Sequence, residues 1–528
     1  MTPTRWIVPW GAALLAGLAH AWAMAWPWPG WSLLGWQTGE PVAWMQWLAL
    51  VGLAWLCRQA PSWRSAALLA WLFGTAWLAG TFWWLFISMH TYGGLPAWMA
   101  AFSVWALAAF LALYTAVAGG VVWRWRAASP ARYALVFAAV WLLAEWARGR
   151  WLTGFPWGAA GYAQVDAMAA WAPWVGVYGM GALSAGLAAA VAAGAWRRGW
   201  WPKVLIGVLV LPMVWPSAGR WLAEVQPAFT RSTGAVPVAL LQGNIPQDEK
   251  FQPGGGVPLA LEWYLTATGE ALQRLDARGG GLVVAPETAI PLLPQQMDPA
   301  WWAQWETQIA ASQSAVLIGL PMGSWQAGYT NSVAGWTPSL DTYRYDKHHL
   351  VPFGEFVPPL FRWFTEWMDI PLGDFNRGAL VQPPFEWMGQ RWAPNVCYED
   401  LFGEELAASF RDADAAPTLL VNVSNIAWFG NTVAIDQHRH IARLRSLELQ
   451  RSTVRATNTG STAVIDPLGR VIAEYPRLTR GVLDSDVEGR TGVTPYAWWA
   501  SRFGLWPLVL LALGVLFYYF FMNRCRVD

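Results

Sequence analysis

The chain has 528 residues, 55% of them apolar or aromatic and only 13% charged, where ordinary soluble domains carry roughly a quarter charged. That composition excludes a disordered chain and argues against a purely soluble one. A net charge of +1 leaves no basic field for nucleic acid. The three cysteines, Cys57, Cys397 and Cys525, are too few and too scattered for a disulfide framework or a zinc site.

Charge divides the chain in two. Residues 1–216 hold three acids, Glu40, Glu145 and Asp166, and the remaining 30 lie in 217–528. Apolar runs fall at about 6–26, 41–57, 66–88, 95–123, 131–147, 169–195 and 202–216, with an eighth at 504–521. A span needs about 20 apolar residues to cross ~30 Å of hydrocarbon. Several runs meet that, whereas 41–57, 131–147 and 202–216 are short and also fit buried or re-entrant segments. The first run is long and followed by others, unlike a cleaved leader. The expected architecture is an α-helical transmembrane bundle of about eight helices, in segments 1–216 and 504–528, with a polar domain over 217–503.

Lys and Arg in short loops set orientation. Arg5, Arg58, Arg64, Arg124, Arg126, Arg132, Arg197, Arg198, Lys203, Arg524 and Arg526 fall in alternate connections, whereas 27–40 and 89–94 hold none. This places both termini in the cytoplasm and 217–503 outside it. Arg148 and Arg150 break the pattern, either as a tolerated exception or as a lipid-headgroup contact.

From Pro237 onward, short β-rich runs appear at 237–241, 281–285, 315–320, 392–397, 418–423 and 462–466. Helical stretches at 258–277 and 300–313 alternate with them, as in an α/β layered domain. Residues 434–451 read as an amphipathic helix, with Ile441, Leu444 and Leu447 on its apolar side and charges elsewhere. The segment 356–372, rich in Phe and Trp, fits either a bilayer-surface lid or ordinary core.

Three complementary groups stand at strand ends, where α/β domains gather ligands: Glu287 after 281–285, Lys347 after a short strand, and Cys397. A thiolate is a nucleophile, a carboxylate with a raised pKa can take the thiol proton, and a compact ammonium can stabilise an oxyanion. Taken singly, each has a plain structural reading. The adjacent His348 and His349 point to opposite faces of an extended segment and read as structural.

Together, LQGNIPQ (241–247), PETA (286–289), KHHLVPFGEFVP (347–358), NVCYED (395–400) and AWFG (427–430) resemble the carbon–nitrogen hydrolase (nitrilase) superfamily. With the apparent spans, the whole chain resembles its membrane-embedded apolipoprotein N-acyltransferase family. The resemblance implies an αββα sandwich and a Glu287 base, a Lys347 oxyanion stabiliser and a Cys397 nucleophile. It also implies supporting or substrate-facing roles for Glu355, Tyr398, Glu399 and Trp428, joined by Trp363 and Phe364 of the aromatic segment. The implied reaction moves an acyl chain from a phospholipid, typically phosphatidylethanolamine, to the α-amine of a diacylglyceryl-cysteine apolipoprotein. It would proceed through a Cys thioester in the Gram-negative inner membrane, with the catalytic domain periplasmic. No cofactor, no metal and a monomer are expected. Two departures stand out: Ile426 replaces a usual Asp after Ser424 and Asn425, and Phe251 replaces a common Trp.

Two rivals remain at this level. A membrane-tethered amidase would use the same three groups with water as acceptor. A transporter would show charge inside its spans, and the apolar runs carry almost none, Glu145 being the clearest, which argues against transport.

Overall fold

The computed structural model describes residues 4–30, 36–252, 254–324, 326–357 and 375–524. The chain divides into two compact units. One comprises Met1–His90, Gly94–Pro227 and Phe503–Asp528, and the other Thr91–Gly93 and Ala228–Arg502.

Every apolar run of the first unit is helical: α1 (Thr4–Trp22), α2 (Ala43–Gln59), α3 (Trp63–Thr81), α4 (Ala97–Val122), α5 (Pro130–Arg150), α6 (Ala172–Ala192), α7 (Trp200–Val214) and α8 (Pro216–Val225). Among the described residues, two helical stretches, Ala97–Trp125 and Ala169–Ala192, are long and apolar enough to cross a membrane singly. Three bent pairs raise that number to five, with bends of 63° after α3 and 100° between α7 and α8. The expectation of eight spans is therefore larger than length and composition support. The sequence gives the reason. Helix α2 has 17 residues, short of a span, and α5 carries Arg132, Glu145, Arg148 and Arg150 within its 21 residues.

Arg148 is buried, not lipid-facing. Its guanidinium donates to the carbonyls of Phe155 (2.6 Å) and Trp157 (2.8 Å). One turn away, Glu145 Oε1 accepts the Ala160 amide at 2.7 Å. These bonds satisfy irregular backbone after α5 that water cannot reach.

The second unit has two six-stranded sheets with orders β12-β1-β2-β3-β4-β5 and β11-β10-β9-β8-β7-β6. The first joins β1 (Thr230–Gln242), β2 (Leu282–Val284), β3 (Ala315–Ser324), β4 (Gly328–Trp336), β5 (Thr342–Asp346) and β12 (Gly481–Gly492). The second joins β6 (Phe385–Trp387), β7 (Gln390–Val396), β8 (Leu419–Ser424), β9 (Ser452–Thr457), β10 (Ala463–Ile465) and β11 (Val471–Glu474). Both have parallel centres, β1–β2–β3 and β7–β8–β9.

Strand β1 shows how the layers form. Val236, Val238 and Leu240 join Trp392, Val396, Val421, Val423 and Val454 in one core between the sheets. The alternate Ala239 and Leu241 join Tyr264, Leu272, Trp305 and Ile309 of α9 (Gly256–Asp276) and α10 (Pro299–Ala310). A strand buried on both faces reads as a continuous apolar run, as 237–241 does. On the far side of the second sheet lie α11 (Val433–Leu449) and α12 (Pro495–Phe503); the chain ends in α13 (Trp506–Arg524).

Helix α11 differs from its sequence reading. Its charged face is not solvated: Asp436, His438, Arg439, His440, Arg443, Arg445 and Glu448 are all buried. They pair among themselves and with other buried or partly buried groups, as in Arg445–Glu448 at 3.0 Å. Charge enters a protein interior only when partnered in this way.

Candidate active site

Two short turns past parallel strands carry the chemistry. Glu287 follows β2, and Gly319 of β3 leaves it room: a Cβ at Gly319 would stand 2.6 Å from the Glu287 Cα. Thr288 has φ +49° and Cys397, directly after β7, has φ +51°. Left-handed backbone costs a residue with a Cβ roughly 1–2 kcal/mol, so both elbows are held by their surroundings.

Lys347, one residue past β5, is 1% exposed. Its ammonium lies 2.9 Å from Glu355 Oε1 and 3.4 Å from Glu287 Oε1. Asn331 Nδ2 of β4 donates to the same two oxygens at 2.7 Å each. Glu287 Oε2 accepts the Asn425 amide at 2.8 Å, and Glu355 Oε2 accepts that of Val351 at 2.8 Å. Both carboxylates are thereby held in place by hydrogen bonds at each oxygen. Burial opposes the Lys347 charge, but Glu355 and then Glu287 override it and hold the ammonium pKa above its ordinary value.

Burial pushes the Cys397 thiol up to about 12. The Glu287 charge adds to this, while Lys347 and the neighbouring Ser424 hydroxyl oppose it. The parallel register, Val396 opposite Val423, continues to set Ser424 beside Cys397. These groups bring Glu287, Lys347, Glu355 and Cys397 into one electrostatic cluster, drawn from both sheets.

The other sequence-selected residues separate into two kinds. The Glu399 carboxylate is taken up by the protein: it accepts the amides of Val396 (2.6 Å), His348 (2.7 Å) and His349 (3.2 Å) and the Tyr345 hydroxyl. It staples the Lys347 strand end to the Cys397 strand end. Tyr398 is buried against Phe402, likewise within the protein. Trp428 keeps 39% exposure and remains available to a ligand. Ile426 is buried and Phe251 exposed. Trp363 and Phe364 lie outside the described residues. His349 stacks on Phe402 at 3.5 Å and meets Glu405 at 2.9 Å, and His348 bonds the Gly378 carbonyl. Both are structural.

Sequence reasoning missed Asn331 and Lys250. Fully buried Lys250 donates to the Glu287 carbonyl at 3.2 Å, and burial, partly countered by the Glu287 charge, lowers its ammonium to about 8. Its rarity was the available signal, since the chain has three lysines. Among the described residues, no group of three or more His, Cys, Asp or Glu is placed to hold a metal ion.

Paired sheets with a thiol, a carboxylate and an ammonium at their strand ends define a carbon–nitrogen hydrolase domain, and residues 237–496 match that family. Residues 33–191 match the apolipoprotein N-acyltransferase N-terminal domain. A curated apolipoprotein N-acyltransferase of Verminephrobacter eiseniae is 52% identical over 522 residues, covering 95% of this chain and 94% of its own length. That of Ralstonia nicotianae is 48% identical, covering 89% and 88%, and that of Bordetella bronchiseptica 42%, covering 95% and 94%. A solved carbon–nitrogen hydrolase superfamily protein of Xanthomonas campestris is 21% identical and covers 53% of this chain and 97% of its own, at a TM-score of 0.35, too low to carry weight. The chain belongs to the apolipoprotein N-acyltransferase family.

Proposed function

We propose that the chain transfers a fatty acyl group from a phospholipid, phosphatidylethanolamine first among candidates, to the α-amine of a diacylglyceryl-cysteine apolipoprotein. The observation that carries this reading is the Glu287–Lys347–Glu355 cluster beside a partly exposed Cys397 in a chain 52% identical to a named apolipoprotein N-acyltransferase.

The chemistry follows from the cluster. With its thiol at about 12, Cys397 is ionised to the order of 10⁻⁵ at neutral pH. The proton therefore leaves as sulfur attacks the ester carbonyl, and Glu287 receives it. Lys347 stabilises the tetrahedral oxyanion. Collapse breaks the ester C–O bond, Glu287 returns the proton to the departing lysophospholipid oxygen, and a thioester remains on Cys397. The neutral α-amine of the lipoprotein then attacks, its proton passes to Glu287 and on to the leaving sulfur, and an amide forms. One nucleophile serves two bulky substrates in turn.

Lipid substrates require a membrane setting, since exposing acyl chains to water costs about 0.8 kcal/mol per CH₂. We place the helical unit in the inner membrane, both termini in the cytoplasm and 217–503 in the periplasm, on the Lys and Arg bias of the short loops. A monomer suffices, because one chain supplies all four groups.

Intact-protein mass spectrometry after incubation with phospholipid tests the reaction. A single fatty-acyl adduct mapping to Cys397, discharged by a diacylated lipopeptide but stable in its absence, is the expected result. N-acylation by Cys397→Ala overturns the nucleophile. Discharge by water at the same rate marks an amidase.

A further inference from the structure

A second buried ammonium lies against the general base and has no part in the chemistry above. Lys250 is 0% exposed, and its Nζ donates to the Glu287 carbonyl at 3.2 Å. Among the described residues it makes no ion pair. An ammonium buried without a carboxylate in contact is unfavourable, and a hydrocarbon side chain would fill the same space without that penalty. Packing alone does not account for it.

The loop that carries Lys250 grips Glu287 at both ends. The amides of Glu249 and Lys250 donate to the Pro246 carbonyl at 3.2 and 3.0 Å, which closes the loop with Asp248 and Glu249 exposed and Lys250 buried. Gln247 Oε1 accepts Asn425 Nδ2 at 2.8 Å, and the Asn425 amide donates to Glu287 Oε2 at 2.8 Å. Asn458 anchors the loop, taking the Ile245 amide at 3.0 Å and donating to the Ile245 carbonyl at 2.9 Å. One loop thus holds the backbone of the base through Lys250 and its carboxylate through Gln247 and Asn425. The carbonyl that Lys250 holds belongs to the peptide leading into Thr288, whose φ of +49° a side-chain-bearing residue does not choose unaided.

Charge points the same way. Glu287 must be ionised to take the thiol proton. Glu355 stands against it, because Asn331 Nδ2 and the Lys347 ammonium each reach an oxygen of both. Two carboxylates sharing a site disfavour each other's charged form, and Lys347 sets one positive charge against the two. Lys250 brings the sum to zero. Burial draws its ammonium down to about 8 while the Glu287 charge resists, so it keeps its proton at neutral pH. The other ionisable groups about the cluster are the protonated Cys397 and, beyond Lys347, Glu399, which is tied to three amides. Around the loop, Arg480 donates to the Gly243 carbonyl at 2.7 Å, and Tyr264 of α9 stands against Gly243.

We propose that Lys250 is a positioning residue for the general base: its ammonium pins the Glu287 peptide and balances the charge of the Glu287–Glu355 pair, so that Glu287 is ionised and in place when substrate arrives. This rests on the acyl-transfer reading above. Lys250 touches no substrate and takes no proton during turnover.

The experiment compares Lys250→Met, Lys250→Gln and Lys250→Arg in the full-length enzyme. The readouts are acyl loading of Cys397 from phosphatidylethanolamine vesicles, kcat and KM, the pH profile and thermal unfolding. Lys250→Met should lower kcat about 10–10²-fold at near-normal KM, the loss that a misplaced catalytic group brings. The acidic limb of its profile should move up by about one pH unit, because losing a positive charge favours the protonated carboxylate. Lys250→Gln keeps a donor for the carbonyl but not the charge, so it should show the moved limb with a smaller fall in kcat. Lys250→Arg keeps the charge and should leave the limb at its wild-type position. A limb that stays put in both Lys250→Met and Lys250→Gln overturns the proposal, as does one that moves as far in Lys250→Arg, or a wild-type profile with no acidic limb. Turnover lost only in step with folded protein also overturns it, since Lys250 would then be structural. If Lys250→Met fails to accumulate, the contrast between Lys250→Gln and Lys250→Arg still decides. Absence of any adduct on wild-type Cys397 defeats the acyl-transfer reading instead, and so is distinguishable.

Discussion

The two units bury charge for opposite ends. In the helical unit, Arg148 and Glu145 bond to backbone, and the result is shape. In the second unit, Glu287, Glu355 and Lys347 share a few oxygens and one ammonium, with only the remaining carboxylate oxygens tied to backbone, and the result is reactivity. Backbone partners lock a charge, whereas side-chain partners leave it free to change allegiance when substrate arrives. Removing a charge from the first unit should therefore cost protein, and removing one from the second should cost turnover.

The largest expected effect lies in the second unit. Cys397→Ala should lower N-acylation more than about 10⁴-fold at unchanged membrane accumulation. Lys347→Met should lower kcat about 10²–10³-fold, beyond the stability it costs by leaving Glu287 and Glu355 without their ammonium. Lys347→Arg should not rescue it, because a planar fork does not replace a point charge held between two carboxylates. Both are read from lipopeptide mass shifts.

Helix α11 tests the comparison, since its Arg445–Glu448 pair is side chain to side chain yet should serve stability. Arg445→Leu removes the 3.0 Å partner of buried Glu448 and should cost about 3–5 kcal/mol of stability, visible in detergent melts. Adding Glu448→Leu should recover part of it. In the helical unit, Arg148→Leu orphans two carbonyls at about 1–3 kcal/mol each, read as reduced accumulation with normal specific activity in the surviving protein. A normal yield with depressed specific activity would break the contrast.

The gentlest test is a pH series. A thiol held near 12 by burial stays protonated below that value, so its alkylation rate should climb about tenfold per pH unit from 7 to 10. A plateau below pH 9 would show a preformed thiolate and remove the need for Glu287 as base.

The six β-rich runs read from sequence all correspond to strands; five of them, β1, β2, β3, β7 and β8, have parallel partners and are largely buried, and so announce themselves as apolar runs. Of the other six, the short strand before Lys347 was read and five were hidden. Strand β4 reads GYTNSVAGW and β12 GVLDSDVEGRTG, with Gly, Asn and charges that look like turns. Missing β4 meant missing Asn331. Glu287, Lys347 and Cys397 were legible because each follows a strand. The buried charge of α11 was not, because a helix rich in Arg and His looks solvated until its partners are known. Chain order cannot tell that Glu399 would spend its carboxylate on amides from residues about fifty positions earlier.

Glu287 and Lys347 ride on one sheet and Cys397 on the other. The spacing among the reacting atoms is thus gauged by the apolar filling between the layers, where Trp392, Val396, Leu240 and Val284 meet. A methylene removed there lets one layer slide over its neighbour before either unravels. Such an enzyme would still melt late and still sit in its membrane, yet its sulfur and its carboxylate would have drifted out of step.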